Sequence, residues 1–285
     1  MAPSFPAGKF KEAVSEAWDR ARASPSLEPI PHRVETLTDG ADTFALFIAP
    51  GLQKRTPAAK ADPTNPFLKV DEALTVCAVP PAHLCVFNKY PVFERHLLII
   101  TKTFEEQTSL LALADFEALV TCFSEIDGLC FYNSGPQAGA SQRHKHLQLV
   151  PFPLEGVDPQ WLEARAQNTS LPFVHAREQT PATPALMFAA YSRLLHAIGC
   201  NRPGAAYNLL ITRNTMWAIA RVEERAQGVG VNALGFAGSI FARDDAEAAT
   251  IRKLGPMTLL RTVARPKPDE APENPEARVT QNWEF

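Results

Sequence analysis

The sequence predicts an α+β fold in which helices flank an antiparallel sheet. Strand-like runs at 74–79, 84–89 and 96–101 follow one another at short intervals, which favours antiparallel neighbours. Two more runs, at 129–133 and 144–150, pair naturally around a glycine-bearing turn. A helix with apolar spacing separates the two groups, at Leu113, Phe116, Leu119, Val120, Phe123 and Ile126. Strands that cluster in this way argue against a repeating βαβ design.

The other elements follow from the same periodicities. Strands are predicted at 43–49, 207–212 and 216–221, the last two as a hairpin. Further helices are predicted at 10–23, 159–167, 186–198, 244–254 and 257–263. Residues 54–66 form a polar, proline-rich loop and 168–184 an irregular connector. We therefore divide the chain into an N-terminal catalytic part at 1–168, a C-terminal part at 185–265 and an extended tail at 266–285.

Composition excludes several broad classes of function. A chain of 285 residues with net charge −3 has no general electrostatic reason to bind nucleic acid or an acidic membrane. We see no secretory signal at the N-terminus, and the apolar runs are far shorter than the ~20 residues of a membrane helix. The five cysteines are odd in number and form no Cys-x-x-Cys pair, as expected of free thiols in the cytoplasm.

The strongest functional signal is the segment at 139–153, Gly-Ala-Ser-Gln-Arg-His-Lys-His-Leu-Gln-Leu-Val-Pro-Phe-Pro. Successive side chains of a strand point to opposite faces, so His144, His146 and Gln148 share one face. A neutral imidazole has a free lone pair near neutral pH, and a phosphoramidate intermediate divides one difficult transfer into two steps. We predict that His146 is the nucleophile. The reaction rate should then fall as the His146 ring protonates, within the range from pH 5 to 8. His144 is its positioning partner, and Gln148 donates to a phosphoryl oxygen without supplying a proton.

The surrounding residues suit a polyphosphate. Gly139 allows close backbone approach, and the side chains of Ser141 and Gln142 add hydroxyl and amide donors. Asn133 ends the preceding strand and is expected to face the same pocket. Positive charge is expected from Lys54 and Lys89.

A metal site and an ordinary structural role are the alternatives for these histidines. A zinc site needs a third ligand at short spacing, and no Asp or Glu lies close to His144 in the sequence, so no metal ligands are predicted. The five remaining histidines stand alone and are interpreted as ordinary structural or surface residues, namely His32, His83, His96, His175 and His196.

The string at 133–148, Asn-Ser-Gly-Pro-Gln-Ala-Gly-Ala-Ser-Gln-Arg-His-Lys-His-Leu-Gln, resembles the catalytic segment of the diadenosine tetraphosphate phosphorylases, or ATP adenylyltransferases. These belong to the histidine-triad superfamily, in the branch with Gln in place of the last His. The resemblance extends from about Lys54 to Val263. Further matching strings include Asn-Pro-Phe at 65–67, Phe-Asn-Lys at 87–89, the run at 96–107, Leu-Ile-Thr-Arg-Asn at 210–214 and Asn-Ala-Leu-Gly-Phe-Ala-Gly at 232–238.

The resemblance implies a histidine-triad-like sheet and a two-step reaction. His146 attacks the α-phosphorus, ATP leaves, and phosphate then removes the bound AMP as ADP; the reverse reaction makes the dinucleotide. It implies substrate contacts by Lys54, Asn88, Lys89, Asn133, Gly139, Ala140, Ser141, Gln142, Gln148, Asn232, Ala233, Leu234, Ser239 and Arg243. Arg143 stands where a small residue or Pro is common, and Arg243 where some members have Lys.

The same resemblance sets expectations about partners. They are diadenosine tetraphosphate, ATP, ADP and inorganic phosphate, with a divalent cation, Mg²⁺, accompanying the nucleotide and no covalently bound cofactor. The chain is expected to be a monomer or a small homo-oligomer. The alternatives are a dinucleoside polyphosphate hydrolase, a hexose-phosphate nucleotidyltransferase, or a nucleotide-binding protein without turnover. The hexose-phosphate enzymes usually have Pro where Lys145 and Leu147 stand here.

Overall fold

The computed structural model describes residues 8–50, 52 and 65–268. Within them the strands are β1 (Arg33–Asp39), β2 (Asp42–Ile48), β3 (Thr75–Val79), β4 (His83–Phe87), β5 (Leu97–Thr101), β6 (Gly128–Asn133), β7 (His146–Pro151), β8 (His175–Gln179), β9 (Tyr207–Ile211), β10 (Thr215–Ala220), β11 (Arg225–Ala226), β12 (Val229–Gly230) and β13 (Ser239–Ala242). The helices are α1 (Phe10–Arg22), α2 (Leu113–Phe123), α3 (Pro159–Gln167), α4 (Pro184–Ala197), α5 (Ala233–Phe236), α6 (Asp245–Leu254) and α7 (Pro256–Val263).

The central feature is an eight-stranded sheet in the order β3-β4-β5-β7-β6-β9-β10-β8. All neighbouring strands in it are antiparallel. This confirms the predicted α+β fold with an antiparallel sheet flanked by helices. A second sheet has the order β1-β2-β13, in which β13 runs parallel to β2.

Each face of the large sheet has its own apolar core. One core contains Leu147 and Leu149 of β7 together with buried side chains of α1, α2 and α4. The other contains Val150 of β7, the small sheet and side chains of α3, α5, α6 and α7. Because strand side chains alternate, the face of β7 that carries Val150 also carries His146 and Gln148.

Five strands were not predicted from the sequence, namely β1, β8 and the short strands β11, β12 and β13. The connector expected at 168–184 to be irregular contains β8, and β1 was not predicted at all. Both are polar edge strands with few buried side chains, so they lack the alternation that marks a strand in sequence. β8 forms because β10 supplies its hydrogen-bonding partner from Thr215↔Gln179 to Ile219↔His175.

The large sheet continues across the predicted boundary near residue 168, since β6 pairs with β9 from Cys130↔Ile211 to Asn133↔Asn208. The division into two parts stays a prediction. Residues 269–285 of the predicted tail lie outside the described residues. Among the helices described, none combines the length and the apolar character needed to cross a membrane.

Candidate active site

His146 is the first residue of β7, and its ring orientation is fixed by its own chain. Its Nδ1 lies 2.8 Å from the carbonyl oxygen of His144, which can only accept, so Nδ1 carries the hydrogen. The lone pair is therefore on Nε2. Only 4% of the residue is exposed, and burial lowers its pKa to about 4. At neutral pH the ring is uncharged, with Nε2 unprotonated.

His144 is held from both sides of its ring. The backbone N–H of Phe67 donates to Asn65 Oδ1 at 3.0 Å, which turns the amide nitrogen of Asn65 toward His144 Nδ1 at 2.9 Å. His144 Nε2 then donates to Thr101 O at 2.7 Å. Burial lowers the pKa of His144 as well. With its ring fixed as a neutral imidazole, His144 holds its carbonyl against the His146 ring.

Gln148 is oriented by a chain of hydrogen bonds that starts at Tyr90. The Tyr90 N–H donates to Asn88 Oδ1 at 3.0 Å, so the amide nitrogen of Asn88 faces His96 Nδ1 at 3.3 Å. His96 Nε2 consequently carries the hydrogen and donates to Gln148 Oε1 at 2.9 Å. Burial lowers the pKa of His96 to about 4, which keeps it neutral. The amide group of Gln148 is thus fixed with its oxygen toward His96.

Gln107 is inserted between β6 and β7 where their backbone pairing ends. Its Oε1 accepts from His146 N at 2.8 Å, and its Nε2 donates to Asn133 O at 2.9 Å and to His146 O at 3.2 Å. The side-chain amide therefore replaces a backbone peptide between strands whose last direct pair is Phe131↔Gln148. Gln107 is 2% exposed, so these bonds are shielded from water.

The glycine-bearing turn lies against the C-terminal half of the chain. Gly139 has φ +88°, and a Cβ there would lie 2.7 Å from Val231 O and 2.8 Å from Asn232 Cβ. Glycine is needed here both for the left-handed conformation and for this close approach. Asn133 also joins the halves, because its Oδ1 accepts from Asn208 Nδ2 at 2.8 Å and from Ala233 N at 2.9 Å.

Comparison with known families decides the assignment. Residues 2–162 match the model of the Ap4A phosphorylase N-terminal domain, where Ap4A is diadenosine tetraphosphate. Residues 169–266 match the model of the ATP adenylyltransferase C-terminal domain. The chain belongs to the Ap4A phosphorylase family. It is therefore similar to nucleotidyltransferases over nearly all of its length.

Two relatives come from Saccharomyces cerevisiae. Protein APA1 is 25% identical over 222 residues, which cover 64% of this chain and 69% of the yeast protein. Diadenosine 5',5'''-P1,P4-tetraphosphate phosphorylase 2 is 30% identical over 158 residues, which cover 50% of this chain and 48% of the relative. The crystal structure of yeast Ap4A phosphorylase Apa2 in complex with Ap4A matches with a TM-score of 0.79 at 20% identity, over 93% of this chain and 99% of that one. That likeness shows that this member of the family has the same fold.

Several predicted site residues lie together around the start of β7. His144, His146 and Gln148 lie along one face of the sheet, Asn88 reaches Gln148 through His96, and Asn133 neighbours His146 through Gln107. The turn residues Ala140 and Gln142 are partly buried and Ser141 is exposed. Asn232 accepts from Leu234 N at 3.0 Å at the start of α5, whose first residue is Ala233.

The other predicted residues bond to groups outside this cluster, have no described partner, or lie outside the described residues. Lys89 Nζ lies 3.4 Å from Glu28 Oε1, and Arg243 forms an ion pair with Glu247. The Ser239 hydroxyl is buried and has no hydrogen-bond partner among the described residues. Lys54 lies outside the described residues. Arg143 is exposed and forms an ion pair with Glu106.

Sequence reasoning missed His96, Gln107 and Asn208. His96 was interpreted as an ordinary residue, yet it is 7% exposed and binds Gln148 directly. Its place at the head of a strand antiparallel to β7 was the available signal. No sequence pattern marks Gln107 or Asn208, because the residues they contact are distant in sequence.

The opposite face of the catalytic strand carries a buried ionic cluster. Lys145 Nζ lies 2.6 Å from Asp115 Oδ2 and 3.0 Å from Glu105 Oε2. Asp115 also lies 2.8 Å from His83 Nε2, and its pKa is held below its usual range by His83 and Lys145 in spite of burial. The cluster therefore ties the strand that carries the histidines to α2.

Among residues 8–50, 52 and 65–268, no three His, Cys, Asp or Glu side chains are grouped as metal ligands. The polar side chains described around the start of β7 are instead amides and imidazoles that bond to one another and to the backbone.

Proposed function

We propose that the chain, a nucleotidyltransferase by family, phosphorolyses Ap4A reversibly to ADP and ATP through an adenylyl group on His146. The observation that carries the proposal is the 2.8 Å hydrogen bond from His146 Nδ1 to the carbonyl of His144. It leaves Nε2 as the attacking atom. The dipole of the His144 carbonyl also stabilises the positive charge that develops on the ring.

In the first step Nε2 bonds to the α-phosphorus and the bond to the bridging oxygen breaks, so ATP departs as an anion. In the second step an oxygen of inorganic phosphate attacks the same phosphorus and breaks the P–N bond. ADP leaves, and His146 returns to the neutral ring with its Nδ1 hydrogen. No net proton transfer is needed, which agrees with Gln148 in place of an acid, because a polyphosphate leaving group needs no proton from the enzyme.

Gln148 has a limited role in this mechanism. Its Oε1 is occupied by His96, so its Nε2 hydrogens are the groups left to donate to a phosphoryl oxygen. Donors that are oriented before the reaction stabilise the charge on the transferring group without reorganisation. A divalent cation accompanying the nucleotide would neutralise the remaining phosphates; we expect it to arrive with the substrate, and chelation should then reduce the rate.

The test is phosphate-dependent product analysis. With Ap4A alone, the protein should release up to one ATP per active site and retain labelled AMP as an acid-labile adduct. With phosphate added, ADP and ATP should form continuously in equal amounts. His146→Ala should lower turnover by several orders of magnitude, each factor of ten being ~1.4 kcal/mol of barrier. Retention of a tenth of the wild-type rate would contradict the assignment.

The same experiment separates the alternatives. A hydrolase would form AMP and ATP without phosphate, and a non-catalytic binder would form no product. A hexose-phosphate nucleotidyltransferase would use a sugar phosphate in place of inorganic phosphate. We also propose a cytoplasmic location, supported by five cysteines that are free and buried.

A further inference from the structure

Arg221, directly after β10, is a buried arginine whose N–H groups all have acceptors. Only 5% of it is exposed. Its acceptors are Val263 O at 3.1 Å, Ala138 O at 3.2 Å, Asn208 Oδ1 at 2.6 Å, Glu223 O at 2.7 Å and Val231 O at 2.8 Å. In the part of the chain that the structure describes, no carboxylate oxygen lies within 4.0 Å of a guanidinium nitrogen of Arg221. A buried cation without an ion-pair partner is costly, so its placement needs an explanation.

The first consequence concerns Asn208, which lies on β9 and is fully buried. A guanidinium has only donors, so the Asn208 side chain must turn its oxygen toward Arg221. Its two amide hydrogens therefore point away from Arg221. They are taken by Asn133 Oδ1 at 2.8 Å and by Ala138 O at 2.8 Å.

The second consequence concerns Asn133. Asn208 Nδ2 and Ala233 N both donate to Asn133 Oδ1, so this oxygen is occupied on the side of the C-terminal half. Within the described residues, Asn133 Nδ2 has no acceptor of its own. Asn133 and His146 are joined through the amide of Gln107, and their side chains project from the same face of the sheet.

We propose that Asn208 and Arg221 are positioning residues that turn the amide hydrogens of Asn133 toward the phosphoryl group attacked by His146. A phosphoryl oxygen is an acceptor, so a donor is the group required there. The opposite orientation of the Asn133 amide would place its oxygen beside the anionic substrate and its NH₂ group against the N–H of Ala233. This inference rests on the proposed function and gives the C-terminal half a defined part in the reaction.

The decisive variant is Asn208→Asp. The carboxylate has nearly the same shape and can pair with Arg221, so the fold should be retained. Its second oxygen cannot donate, and it would face Asn133 Oδ1 and Ala138 O. Asn133 should then rotate to donate to Asp and present its oxygen to the substrate. We expect kcat/KM for Ap4A phosphorolysis to fall roughly 10- to 100-fold, mainly in kcat. The lost donor to Ala138 O should also lower Tm, so activity is measured well below the unfolding transition of the variant.

A double-mutant cycle distinguishes positioning from a general structural effect. If Asn208 acts through Asn133, then Asn208→Asp made in an Asn133→Ala background should change kcat/KM by less than about twofold. Arg221→Lys gives a second pair of variants, because it keeps the charge and loses the fixed fork of donors. Its partial loss of activity should likewise disappear in the Asn133→Ala background.

Asn168→Asp is the matched control. Asn168 Oδ1 accepts from Ser170 N at 2.9 Å in an exposed turn, a bond that a carboxylate makes equally well. Turnover should equal that of the wild type.

Wild-type kcat/KM in Asn208→Asp would overturn the proposal. An equal loss of kcat/KM from Asn208→Asp in the wild-type and Asn133→Ala backgrounds would also overturn it. Those results leave Ap4A phosphorolysis intact. A wild-type protein that forms no ADP and ATP with phosphate present would overturn both this proposal and the proposed function.

Discussion

Gln107→Glu is the most informative single change near His146, the proposed nucleophile. The substitution keeps the acceptor for His146 N and removes the NH₂ group that donates to Asn133 O and His146 O. An ionised carboxylate would face two carbonyl oxygens at a site that is 2% exposed. Losing two buried hydrogen bonds costs roughly 1–3 kcal/mol each, so we expect a loss of about 2–6 kcal/mol in unfolding free energy.

The pH dependence of this variant has a definite sign. Burial and the two carbonyls should raise the pKa of the introduced carboxyl above its unfolded value of about 4.3. Protonated, it donates to one carbonyl and accepts from His146 N, as the amide does. Its contribution to stability is therefore fully present below the unfolded pKa and is lost as pH rises through the folded pKa. A misplaced nucleophile should also lower kcat on the order of 100-fold at high pH.

Two measurements check this expectation. Urea unfolding between pH 4 and 9 should show the variant losing stability with rising pH relative to the wild type. Phosphorolysis over the same range should decline in parallel. Gln179→Glu, at the exposed end of β8, is the matched control and should behave as the wild type. If Gln107→Glu has wild-type stability and kcat at pH 9, the inserted amide does not hold His146 in place.

Three further predictions concern groups on either face of the catalytic strand. His96→Leu should lower kcat more than tenfold, because it releases the Gln148 amide. His96→Gln retains a donor near the Nε2 position and should recover part of that loss. Steady-state phosphorolysis of Ap4A measures both variants. Asp115→Asn should lower the free energy of unfolding by about 3–5 kcal/mol, as measured by urea unfolding, because the buried ammonium group of Lys145 loses the Asp115 carboxylate. The phosphorolysis rate of the wild type should stay level from pH 8 to 5 and fall toward a pKa of about 4, since burial shifts the protonation of His146 downward; a midpoint near 6.5 would contradict that burial.

The last of these predictions differs from the expectation drawn from the sequence. A histidine with an unperturbed pKa of ~6.5 loses nucleophilicity within the range from pH 5 to 8. The motif predicts that His146 is a nucleophile but contains no information on how deeply the ring is buried. The ring is buried by the sheet and by Phe67, whose ring centroid lies 5.3 Å from that of His146 although Phe67 precedes it by 79 residues. Sequence spacing predicts the chemistry of this group, and tertiary packing determines its pKa.

The same distinction explains which parts of the fold and the site were predictable. Strands β3 to β7 and helices α1, α2 and α4 carry regular apolar patterns, and each was predicted to within a few residues. β8, with the sequence His-Ala-Arg-Glu-Gln, carries no such pattern and exists only because β10 pairs with it. His144, His146 and Gln148 were predictable because alternation within one strand brings them together. Gln107 and Asn208 lie 39 and 75 residues from the partners they orient, so no local pattern marks them.

These distant residues share a physical task that explains why the chain needs its full sheet. A neutral amide or imidazole can point either end toward a ligand, and the two orientations have similar shapes but opposite hydrogen-bonding character. Each orientation in the site is determined by groups that cannot reverse. They are a backbone N–H at Phe67 for His144 and a backbone N–H at Tyr90 for Gln148. For Asn133 they are the backbone N–H of Ala233 and, through Asn208, the donor-only guanidinium of Arg221. Strand pairing across the sheet and between the halves brings these fixed groups to the flexible ones. A substitution that reverses a fixed donor should therefore impair catalysis even where it leaves the fold and the histidines unchanged.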